Sequence, residues 1–68
     1  MTDVIDAVDA RQLLNEIHQG AVEVGTEEVV DELVETRDLT FEDARRVLYG
    51  LIAARKLTLT PRYTVRVP

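Results

Sequence analysis

The stretch that most restricts the fold runs from Thr40 to Val67, TFEDARRVLYGLIAARKLTLTPRYTVRV. Thr40 and Asp43 have capping-box spacing, a hydroxyl acceptor at the N-cap and a carboxylate three residues on. From there Phe41, Ala44, Val47, Leu48, Leu51, Ile52 and Ala54 recur at the helical period and gather on one face. Glu42, Arg45, Arg46, Tyr49, Gly50 and Ala53 fall on the opposite face. The pattern predicts a helix over 40–56, with Arg55-Lys56 placing positive charge at its C-terminal end. The periodicity then becomes strand-like. Leu57, Leu59, Tyr63, Val65 and Val67 alternate with Thr58, Thr60, Thr64 and Arg66. Pro61 presets the backbone for a β-turn over Thr60–Tyr63. The expectation is a hairpin that turns its apolar side chains back onto the helices.

Two further helices precede this stretch. Asp9 and Gln12 repeat the capping-box spacing. Ala10, Leu13, Leu14 and Ile17 follow i, i+3, i+4, i+7, and Gly20 suits the residue just past a helix end. His18 sits where a cation complements a helix C-terminus and reads as a surface residue, not a ligand. Ala21–Val24 alternates and is too short for a helix, which predicts an edge strand for the hairpin. Gly25 breaks the chain, and Thr26 is expected to cap the second helix. Val29, Val30, Leu33 and Val34 form its buried stripe, whereas Glu27, Glu28, Asp31, Glu32 and Glu35 face solvent. Thr36–Leu39 is the short connection to the third helix. Residues 1–8, with Val4, Ile5 and Val8, do not continue the first helix's face. They read as a separate arm, either a frayed terminus or an apolar strip for a partner subunit. The domain proper is 9–68.

A chain of 68 residues forms one domain. It buries only about 60% of its unfolded surface, too little for a deep cleft. With no cysteine, neither disulfides nor thiolate zinc sites are available. There is one histidine, and no glycine-rich phosphate loop or metal-ligand spacing. The i,i+4 pairs Glu28/Glu32 and Asp31/Glu35 read as acidic surface. No catalysis, cofactor or metal is therefore expected. No apolar run approaches the ~20 residues of a membrane span, and the acidic start lacks a basic leader. A cytoplasmic protein without membrane contact is expected. Net charge is −5, split between −9 over residues 1–36 and +4 over residues 37–68. The positive part is the capped helix and hairpin.

In the order helix, short strand, helix, tight turn, helix, hairpin, the chain resembles a winged helix-turn-helix domain. Thr26–Leu39, Thr40–Lys56 and Leu57–Val67 carry the resemblance. VLYGLIAARKLTLTPRYTVRV is similar to a common ending of such domains, in which a helix of pattern L..LI..G.L runs into paired strands. Arg55-Lys56 stands where that pattern often has glycine. The resemblance implies an α+β, mostly helical fold with three helices and a C-terminal two- to three-stranded wing. It implies a small DNA-binding transcriptional regulator that reads duplex DNA, acting as a homodimer. The third helix is then the one that enters the major groove. Arg45, Arg46 and Tyr49 are its candidates for base and phosphate contact, joined by Thr40 and Lys56 and by Arg62 at the hairpin tip. An arginine bidentate to guanine discriminates by about 1–3 kcal/mol.

Two features oppose that reading. Glu42 lies among the reading residues, and the five acids of the second helix face the DNA if that helix crosses the backbone. Salt shortens the repulsion to a few Å but weakens phosphate contacts as well. The arginines also read as a solvated face on an acidic protein. The alternative is a winged-helix protein-interaction module that leaves DNA untouched. It would dock its positive half on an acidic partner or its negative half on a basic one. Self-association of the two halves is a third arrangement.

Overall fold

The computed structural model describes residues 8–68. Helix α1 spans Ala10–Ile17, and the Asp9 side chain caps it by accepting from the Gln12 N–H at 3.2 Å. Gly20 adopts φ 77° and its N–H donates to Asn15 Oδ1 at 2.7 Å, which turns the chain towards the sheet. Strand β1 is Glu23–Gly25, one to two residues later than the alternation of residues 21–24 predicts. The shift follows from what β1 pairs with: its partners run from Arg66 to Thr64, so Val22 is left outside and exposed.

Helix α2 spans Thr26–Arg37. Thr26 is its first residue, not its cap. Gly25 holds the N-cap position, and no side chain caps the helix. The reason lies across the fold, where the Thr26 N–H donates to the Tyr63 carbonyl at 3.1 Å. The wing turn thus satisfies one of the backbone donors left without an intrahelical partner at the helix start. Glu27 and Glu28 complement the positive end of the same helix. Asp38, at φ 55°, ends it.

Helix α3 spans Phe41–Ala53, and Thr40 Oγ1 accepts from the Asp43 N–H at 3.1 Å. It stops short of the predicted residue 56 because Arg55 takes a left-handed conformation, φ 63°. The Arg55 N–H then bonds to the Ile52 carbonyl at 3.0 Å and the Lys56 N–H to the Leu51 carbonyl at 2.9 Å. This is the Schellman closure, with arginine in the place glycine usually takes.

Strands β2 (Thr58–Leu59) and β3 (Thr64–Arg66) follow. The sheet is antiparallel in the order β1-β3-β2, so β3 is its middle strand. The hairpin turn is the expected one, with the Tyr63 N–H donating to the Thr60 carbonyl at 3.1 Å. The architecture is α+β and mostly helical. Among the described residues it comprises three helices and one three-stranded sheet in a winged-helix layout.

The core is aliphatic throughout. Leu13 and Leu14 of α1, Val29 and Leu33 of α2, and Leu48 and Leu51 of α3 meet Leu57 and Val65, all essentially inaccessible. Each contributes roughly 1.5–3 kcal/mol through burial. No polar or charged residue is buried among the described residues. Val8 belongs to this core and not to a separate arm. The rest of the expected arm, Val4 and Ile5 included, lies outside the described residues. Four residues expected on the packed faces are on the surface instead: Phe41, Leu59 and Tyr63, and Ala54, which falls at the C-cap past the last helical turn. Phe41 opens α3 beyond the reach of the packed layers. Leu59 lies on a two-residue edge strand, covered on one side only. Tyr63 occupies the turn at φ 60°.

Candidate nucleic-acid interface

The solvent face of α3 is built as its period dictates. Ala44, Val47, Leu48 and Leu51 are buried, so Arg45, Arg46 and Tyr49 point outward together with Glu42. The cap at Thr40 fixes where the helix begins and hence the rotation of this face. Thr40 itself is exposed at the helix start, its hydroxyl oxygen already accepting from Asp43.

The cations differ in what they touch. Arg46 lies 3.7 Å from Asp43 in an exposed i,i+3 pair, an arrangement worth at most about 1 kcal/mol and readily exchanged. Arg45 makes no ion pair among the described residues. Arg62 donates from Nη2 to both oxygens of Glu23, at 3.1 and 3.4 Å, so the wing tip carries its own counter-charge. Glu23 also accepts from the Thr64 hydroxyl at 2.5 Å. That hydrogen bond holds the Glu23 pKa below the ordinary glutamate value, against the effect of burial and with help from Arg62 and Arg66. Lys56 Nζ donates to the Val8 carbonyl at 3.2 Å, which ties the end of α3 to the start of α1.

The structure therefore gathers only part of the expected set. Arg45 and Tyr49 share a groove between α2 and α3 with a volume of about 360 Å³. Val30 and Leu48 are apolar residues of its lining, and Phe41 and Tyr49 bring their rings to it. Glu27 and Asp31 line the α2 side. Thr26 lies at the groove as well, and its bond to Tyr63 joins the wing tip to this region. Lys56 and Arg62 are not among the groove residues.

Sequence reasoning did not single out Phe41, Glu27 and Asp31 as site residues. A signal for the first was present, since Phe41, Arg45 and Tyr49 are spaced i, i+4, i+8 and stack along one flank of a helix. The other two required knowing which flank of α2 lies beside α3.

No family model, curated protein or solved structure matches the chain. Among the described residues no helix is long and apolar enough to cross a membrane, and no group of acidic or histidine side chains is placed to hold a metal ion.

Proposed function

We propose that this chain is a small winged-helix module that binds duplex DNA with α3 and the wing. In this reading it is a cytoplasmic transcriptional regulator, not an enzyme. It acts as a homodimer because one module of this size offers few contacts. The observation that supports it best is α3 itself. It is a capped 13-residue helix beside a hairpin, with Arg45, Arg46 and Tyr49 all exposed on the side away from the core. A helix about 10–12 Å across matches a major groove about 12 Å wide. Thr40, Lys56 and Arg62 take supporting roles at the backbone. Arg62 reaches a phosphate by turning from Glu23 or by using its remaining donors, since a guanidinium carries five N–H groups.

The test is an anisotropy titration with duplex DNA over a range of salt. Affinity should fall steeply as salt rises, because phosphate contacts release counterions. It should fall further in an Arg45→Ala/Arg46→Ala double variant. Absence of binding at every salt concentration, or equal binding by the variant, overturns the reading.

A second reading has its own observation. Glu27 and Asp31 line the groove that Arg45 and Tyr49 share, and Glu42 stands exposed on α3. Phosphate is repelled there, whereas a protein surface need not be. On this reading the module binds a protein and leaves DNA untouched.

A further inference from the structure

We propose that the groove between α2 and α3 is a docking site for a protein segment that carries apolar side chains flanked by lysine or arginine. The inference deepens the second reading above, and its chemistry does not depend on whether the chain binds DNA.

The aromatic residues are placed for contact with a partner. The chain has three, Phe41, Tyr49 and Tyr63, and all are exposed, at 61%, 61% and 76%. Single exposed apolar residues are ordinary. Here the core is wholly aliphatic, and two of the three rings border one groove. Aromatic side chains are enriched at protein interfaces and among their dominant contacts. The third, Tyr63, sits at φ 60°, a conformation unfavourable for a bulky side chain. Its exposed ring gains little from packing in return. Its carbonyl holds the Thr26 N–H beside the groove.

Charge favours a basic occupant. Glu16, Glu23 and Glu28 each have a cationic or histidine partner within 3.4 Å. Glu27 and Asp31, one turn apart on the α2 side of the groove, make no ion pair among the described residues. The negative charge therefore lies along one edge, and Arg45 lies on the other. That asymmetry orients an occupant. Its cations lie along α2, its apolar side chains meet the exposed Phe41 and Tyr49 side chains above the buried Val30 and Leu48, and a cation can also stack on either ring. The volume, about 360 Å³, is near the lower end of ligand pockets, roughly 300–1,000 Å³. It suits a few side chains of a segment laid along two helices, the helix-in-groove mode of recognition.

The experiment titrates the isotopically labelled full chain with a synthetic peptide of about twelve residues, with leucines at helical spacing and lysines between them. Amide shifts are read residue by residue. Saturable shifts confined to residues 26–31 and 41–49 are expected. Affinity should drop about tenfold or more, equivalent to about 1.4 kcal/mol, in Glu27→Gln/Asp31→Asn and in Phe41→Ala/Tyr49→Ala. A peptide of equal charge with serine for leucine should bind at least as weakly. Equal binding of the serine peptide, shifts spread over the whole acidic surface, unchanged affinity in both double variants, or no shifts at all each overturn the proposal. A DNA titration of the same samples tests the other reading separately.

Discussion

Arg62 at the wing tip clasps Glu23 at the start of β1, with Nη2 3.1 Å from one carboxylate oxygen and 3.4 Å from the other. The clasp joins the turn of the hairpin to the strand at the far side of the sheet. It braces the short wing against β1 and gives the wing's foremost cation a partner within the chain.

Glu23 makes that clasp sensitive to acid. The Thr64 hydroxyl, followed by the Arg62 and Arg66 charges, lowers the folded-state pKa relative to the unfolded chain. A lowered carboxylate pKa stabilises the fold above the unfolded value, and the benefit is lost as pH falls through the folded value. Wild type should therefore melt above Glu23→Gln at neutral pH. The two curves should converge as pH falls below the ordinary glutamate range. Thermal melts of both proteins across that range, with an NMR titration of Glu23, check this.

Glu32 should behave in the opposite sense. Burial raises its pKa, and the neighbouring Glu16 and Glu35 add to the shift while Arg37 opposes it. Arg37 spans to Glu16 at 3.1 Å, so it relieves both acids. A raised folded-state pKa makes the ionised form a cost to the fold, present above the folded value and gone below the unfolded one. Glu32→Gln should raise the melting temperature at neutral pH, with the gain disappearing in acid. A constant gain at every pH would point to a cause other than ionisation.

Arg55 closes α3 at φ 63°, where any side chain pays a steric penalty. Arg55→Gly and Arg55→Ala remove the same charge from the helix end. They differ only in whether a Cβ must adopt that conformation. The glycine variant should be the more stable of the two by about 1 kcal/mol, measured by urea unfolding.

The exposed rings and the buried leucines should separate cleanly in stability. Phe41→Ser and Tyr49→Ser alter surface contacts and should shift unfolding by no more than about 0.5 kcal/mol each. Leu51→Ala opens a cavity at a fully inaccessible site and should cost about 2–5 kcal/mol. In so small a domain that loss leaves much of the chain unfolded, as urea curves and circular dichroism would record.

The local signals proved the most legible. Asp9 and Thr40 cap the helices they were expected to cap, and the turn falls at Thr60–Tyr63. These features depend on residues within four positions of one another. What escaped depends on neighbours distant in the chain. Thr26 gave up the cap because the Tyr63 carbonyl reaches it. Val8 joined the core, and the Lys56 ammonium meets its carbonyl. Phe41 and Tyr63 carry apolar rings in an apolar pattern, yet neither has a packed layer above it. For the candidate site, the exposure of Arg45, Arg46 and Tyr49 followed from helical period alone. The ion pairing of Arg62 and the acids beside Arg45 became visible only once β1 and α2 were in place.

β3 is the middle strand of the sheet, and Thr64 meets Glu23 across 41 positions of sequence. At ~5–20 residues per second, β1 is synthesised roughly two to eight seconds before the strand it must join. Until then the helices already made have no sheet to lean on, and their core leucines lack Val65 as a partner. The order in which the chain is made thus imposes a waiting period on its own assembly.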